Sequence, residues 1–176
     1  MSTEMISLLL ATAMPVCGPT AEARFYEGAP VDRFEIAHLS PDGWSIEAVA
    51  IDLGPSAGRL VVDAVPGGAG FNVAQPFRAE AGAARLAEGQ AVEDGDEVIA
   101  LRFLHFPEAA EFRFSLDLDD RISGLAGTRV AGAEMRDARL SVRFRHREGA
   151  IEEHEGLFGD GAGGAVMARA GAPCLG

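Results

Sequence analysis

Apolar and polar residues alternate with a period of two along most of this chain, most cleanly in Phe112-Arg113-Phe114-Ser115-Leu116-Asp117-Leu118-Asp119-Asp120. Successive side chains of an extended strand point to opposite faces, so this run sends Phe and Leu into a core and leaves Arg, Ser and Asp in water. Runs of the same kind recur at Arg33–Leu39, Trp44–Leu53, Arg59–Val65, Phe71–Glu80, Glu97–Phe106, Ala138–Arg147, Ala150–Phe158 and Ala165–Ala170. Between them stand turn formers such as Ser40-Pro41-Asp42-Gly43, Val65-Pro66-Gly67-Gly68 and Asp94-Gly95-Asp96, whose Gly and Asp residues supply the φ > 0 positions of tight turns. Short strands at this spacing predict an all-β chain: a single antiparallel β-sandwich of about nine strands, with jelly-roll or immunoglobulin-like topology. Only Glu80–Gln90 reads as a helical turn or two.

The 176 residues suffice for one domain with a proper core, and no linker or internal repeat divides them. The formal charge is -12; all 15 basic residues are arginines, scattered along the chain. Nucleic-acid binding needs a concentrated basic footprint and is not expected. Ile6–Val16 is apolar but too short to span a bilayer, and Ala21-Glu22-Ala23 has the small-x-small form of a signal-peptidase site. These features predict a signal peptide over residues 1–23, a mature domain over 24–176, and a periplasmic or extracellular location without a membrane span. The alternative is an ordered N-terminal helix or strand. Cleavage would remove Cys17 and leave Cys174 as a lone thiol; retention would let the two pair.

Two constellations carry chemistry. Asp94 and Asp96 precede one strand, Asp117, Asp119 and Asp120 close the next, and Glu134 follows a glycine-rich loop. Hard carboxylate oxygens suit calcium, and the expected ligands are Asp117, Asp119 and Asp120; Asp94 and Asp120 are expected at opposite ends of their strands. The competing reading is of solvated strand-end charges. Arg139, Arg143, Arg145 and Arg147 alternate with Leu140, Val142, Phe144 and His146, which puts four guanidinium groups on one sheet face. They would either grip an anionic polysaccharide or form cross-strand ion pairs with Asp117, Asp119, Glu152, Glu153 and Glu155. Trp44 is expected to pack in the core or to stack on a sugar. His38, His105, His146 and His154 lack zinc spacing, and the chain carries no nucleophile elbow, phosphate loop or dinucleotide fingerprint. His154 stands among glutamates with no identifiable nucleophile, so the chain reads as a non-enzyme.

The segments Phe25-Tyr26-Glu27-Gly28-Ala29-Pro30-Val31-Asp32-Arg33-Phe34, Asp52-Leu53-Gly54-Pro55-Ser56-Ala57-Gly58-Arg59-Leu60, Asp94-Gly95-Asp96, Asp117-Leu118-Asp119-Asp120 and Arg129-Val130-Ala131-Gly132-Ala133-Glu134-Met135 occur in that order. Over roughly Arg24–Phe158 the chain thereby resembles small exported alphaproteobacterial proteins labelled "aggregation factor core". Its later part is similar to β-sandwich modules of other exported bacterial proteins. It departs from the resemblance at Ser40–Ser45, which has no cysteine where relatives are expected to carry one. The resemblance implies a calcium-dependent, glycan-mediated adhesion module and brings no catalytic or binding residues with it. The expected function is therefore an exported, non-catalytic module binding a polysaccharide or cell-surface protein, with calcium as a possible cofactor. The alternatives are a periplasmic assembly protein that binds a partner through a sheet edge and, third, an uncharacterised hydrolase.

Overall fold

The computed structural model describes residues 16–28, 31–70, 73–122, 130–160 and 165–173. Twelve strands are formed among them: β1 (Val16–Tyr26), β2 (Asp32–His38), β3 (Trp44–Asp52), β4 (Val61–Val62), β5 (Arg78–Ala79), β6 (Arg85–Leu86), β7 (Val98–His105), β8 (Glu111–Leu116), β9 (Leu118–Asp119), β10 (Arg139–His146), β11 (Ile151–Leu157) and β12 (Ala165–Pro173). Sheet A runs β12-β1-β2-β8-β5, sheet B runs β11-β10-β3-β7-β6, and β4 and β9 form a separate two-stranded ribbon. Every pairing is antiparallel. Neighbours in the chain pair within each sheet, β1 with β2 and β10 with β11, while β2 with β8 and β3 with β10 join strands distant in sequence, and the two sheets form a β-sandwich. The nine expected runs become twelve strands because β1 and β6 are added and the run ending in Asp119 divides into β8 and β9.

Alternation decides which side chains fill the space between the sheets. Phe112, Phe114 and Leu116 of β8 and Leu140, Val142 and Phe144 of β10 are all buried, as the period-two reading requires. Phe114 stacks on Phe34 with ring centroids 5.0 Å apart and meets Phe77 at 5.3 Å. Trp44 is partly buried against the core, its ring 5.0 Å from that of His146. The expected helical turn at Glu80–Gln90 is instead extended or turn structure containing β6, where Arg85 and Leu86 pair with β7. The only helical turn among the described residues is the 3-10 turn Gly132–Met135, which buries Met135.

β1 bears on the expected N-terminal boundary. It lies between β12 and β2, with Ala21 opposite both Ala170 and His38, and Ala23 opposite Ala168 and Ile36. Thr20, Ala21, Glu22 and Ala23 are all buried. The small side chains that fit a peptidase site also fit the crowded interior of a sheet. The bond between residues 23 and 24 therefore lies in the middle of a central strand, and a chain starting at Arg24 keeps only three residues of β1. Residues 1–15 and Cys174 lie outside the described residues, as does the Cys17 side chain, so pairing of Cys17 with Cys174 does too.

At the edge beside β1, β11 and β12 approach backbone to backbone. A Cβ on Gly156 would overlap the main-chain oxygen of Arg169.

Candidate functional site

Antiparallel registers gather one set of loops at one end of the sandwich. Asp32 opens β2 opposite Leu116 at the end of β8, and Asp52 closes β3 opposite Val98 at the start of β7. The segments after β3, before β7 and after β8 therefore meet. This corrects the expectation that Asp94 and Asp120 lie at opposite ends: the start of one strand and the end of the next antiparallel one share an end.

The two-stranded ribbon organises this end. Val61 pairs with Asp119 and Val62 with Leu118, and the Asp63 amide donates to the Asp117 carbonyl at 3.0 Å. Val62 and Leu118 face the core, which puts Asp63, Asp117 and Asp119 together on the other face of the ribbon. The glycine-rich turn after β4 folds over them. A Cβ on Gly70 would overlap Asp119 Oδ2 and crowd the Asp63 carboxylate, and one on Gly68 would overlap Asp94. These glycines are needed because their backbone lies directly against the carboxylates.

The acids divide into two groups by their partners. Asp94 accepts the amides of Ala64 (2.9 Å), Val65 (3.2 Å) and Ala69 (2.7 Å), and these bonds hold its carboxyl below the usual range. Asp32 accepts from Gly28 and Leu118, both at 3.2 Å. Burial nonetheless dominates at Asp32 and pushes it up to about 7. Asp94 and Asp32 thus serve as loop anchors. Asp63 is 2% exposed, its Oδ1 has no hydrogen-bond partner, and burial followed by the neighbouring Asp119 and Asp94 raises it to about 6. Asp117 is raised to about 7, first by burial and then by Asp32, Asp119 and Asp63.

Of the three expected calcium ligands, the structure brings Asp117 and Asp119 together and sets Asp120 apart, its Oδ1 accepting the Ile122 amide at 3.1 Å. Asp96 caps its own turn by accepting the Glu93 amide at 2.8 Å, and Glu134 accepts the Ala131 amide at 2.7 Å. Among the described residues no three acidic, histidine or cysteine side chains are arranged to hold a metal ion as they stand. Asp63 was missed from the sequence, although Val61-Val62-Asp63 before a Pro-Gly-Gly turn repeats the apolar-run-then-acid pattern of Leu118-Asp119.

Two arginines of the β10 stripe, Arg143 and Arg145, are paired with neighbouring glutamates. Arg143 reaches Glu47 at 3.3 Å and Glu153 at 3.1 Å, and Arg145 also binds Glu47. Glu47 can serve both because a bulge in β3 leaves it without a partner between Ala48 and Ile46. Asp117 and Asp119, expected partners of this stripe, lie at the loop end with Asp63. His154 pairs with Glu152 at 2.8 Å, and its ring lies edge-on to Phe144.

The outer face of sheet A carries a concavity of about 470 Å³ lined by Tyr26, Arg33, Phe34, Glu35, Glu80 and Arg113. Glu35 is engaged on both sides, by Arg24 at 3.3 Å and Arg113 at 2.8 Å. Arg33, directly opposite Tyr26 in the strand register, approaches Glu80 only to 3.9 Å, too far for a hydrogen bond.

No family model, curated protein or solved structure matches the chain. Among the described residues no helix is long and apolar enough to cross a membrane.

Proposed function

We propose that the domain is a non-catalytic binding module that takes a neutral saccharide on the outer face of sheet A. The observation that carries this reading is the concavity around Tyr26, where an aromatic ring lies beside a loosely paired guanidinium and carboxylate. A pyranose offers an apolar ring face for stacking and vicinal hydroxyls that both donate and accept, which matches Tyr26, Arg33 and Glu80. Charge favours a neutral ligand: two arginines and two glutamates line the concavity, and a chain of net charge -12 repels polyanions. The test is a glycan-array screen of the full chain followed by titration of any retained oligosaccharide. Tyr26→Ala and Arg33→Ala should each weaken binding about tenfold or more, the loss of one stacking or charged contact, with melting unchanged. Failure of every neutral saccharide to bind, or equal binding by both variants, overturns the reading.

A second reading, a protein partner at the sheet edge, has its own support. Ile151 and Leu157 of β11 and Met167 of β12 are exposed apolar side chains on the strands that end the two sheets. Loss of one defined co-purifying protein on Leu157→Glu and Met167→Glu would favour it.

A further inference from the structure

We propose that Asp63, Asp117 and Asp119 form a calcium site at the loop end of the sandwich, distinct from the saccharide concavity and independent of it. The three side chains share one face of the ribbon formed by β4 and β9. A shared face alone would be a solvated acidic patch. The deciding group is Asp63, which is 2% exposed with a carboxylate oxygen, Oδ1, that has no hydrogen-bond partner. A buried carboxylate left unpaired is costly, and ordinarily an arginine, a backbone amide or a cation relieves it. Gly70 donates to this carboxyl and Asp119 shares a hydrogen bond with it, which leaves Oδ1 as the unpartnered atom, and the neighbouring charges that act on it, Asp119 and Asp94, are carboxylates. Asp117 is surrounded in the same way by Asp32, Asp119 and Asp63. A cation bound beside these carboxylates would supply the partner that Asp63 Oδ1 does not have.

The chemistry of the donors selects the ion. All three are carboxylates, and among the described residues no imidazole or thiolate joins them in a metal-holding group, which favours a hard cation over zinc or copper. Calcium takes six to eight oxygens in flexible geometry and accepts main-chain carbonyls and water alongside carboxylates. The glycine-rich turn held down by Asp94 brings main chain directly over Asp63 and Asp119 and leaves no room for a side chain at position 70. Asp94 is a positioning residue: its oxygens are occupied by three amides of that turn. Because the three carboxylates are not yet arranged as a cage, an ion must draw them inward and complete its shell with water. That predicts weak binding, of order 10⁻⁴–10⁻³ M, as in extracellular calcium modules.

The test is thermal melting of the full chain at pH 7.5 in EDTA, in calcium and in magnesium, with isothermal titration of calcium. Calcium at about a hundred times its dissociation constant should raise the melting temperature by roughly 5–10 °C, and magnesium by less. Asp63→Asn should melt in EDTA at or above wild type, since it removes one of several mutually repelling charges, and should lose the calcium response. Should Asp63→Asn not fold, Asp119→Asn replaces it with the same expectation. Asp120→Asn should keep the full response. A wild-type transition unmoved by calcium means that shared protons alone relieve the cluster, and overturns the proposal. So does an equal calcium shift in Asp63→Asn or Asp119→Asn and wild type. None of these outcomes touches the saccharide reading, whose titration is made in EDTA.

Discussion

His38 shows how one buried group sets a pH dependence. Its Nδ1 lies 3.0 Å from the Pro107 carbonyl, which only accepts, so Nδ1 carries the hydrogen and Nε2 is left bare and without a partner beside Phe106 and Phe144. Burial therefore lowers its pKa below 6.5. The unfolded chain takes up a proton below 6.5 that the folded chain refuses, so the His38 contribution is present above that pH and is lost as pH falls. The slope reaches at most about 1.4 kcal/mol per pH unit. Asp32 acts with opposite sign: raised to about 7, it contributes stability below 3.8 that disappears as pH rises through 7. In EDTA, His38→Gln should therefore lose the acid-side decline and retain the decline toward pH 8, as read from melting temperatures between pH 5 and 8. At neutral pH, Phe114→Ala should cost ~3–5 kcal/mol by denaturant titration, because it empties a stacked, fully buried position. Arg143→Ala should cost under ~1 kcal/mol, because its two ion pairs are largely exposed.

Among the elements, β8 and β10 were legible because each presents one wet and one dry face, and alternation then assigns every residue. β1 was not. Its run Thr20-Ala21-Glu22-Ala23 has small inward side chains, since Ala21 and Ala23 sit between two neighbouring strands, and small residues carry no strand signal while matching a peptidase site. Glu80–Gln90 failed for a related reason: alanine and glutamate favour helix locally, but the open edge of β7 offered hydrogen bonds to Arg85 and Leu86. A chain beginning at Arg24 should therefore lose cooperative melting, whereas the full chain melts in a single transition. Equal melting of the two would show that sheet A does not need Val16–Ala23. At the β11–β12 seam, Gly156→Ala should cost about 1–3 kcal/mol, since the added methyl meets main chain that cannot rotate away.

At the scale of the whole molecule, acidic character was plain from composition, but its arrangement was not. The sequence places Asp117, Asp119 and Asp120 side by side; the fold separates Asp120 from them and supplies Asp63 from more than fifty residues away, a contact that no local pattern encodes. The same holds for Glu47, which joins β3 to β10 through a bulge. Pairing of the first strand with the last has a mechanical consequence. Val16 lies opposite Pro173, so the chain enters and leaves sheet A at the same end of one antiparallel ladder. A pull that separates these two points would load the β1–β12 hydrogen bonds one after another, as in peeling tape, and the ladder would open at low force. A pull between Val16 and the acidic loops at the far end of the strands would instead run along β1 and load many bonds together. The domain would then yield easily when stretched between Val16 and Pro173, and hold when tension enters through a ligand gripped at the opposite pole.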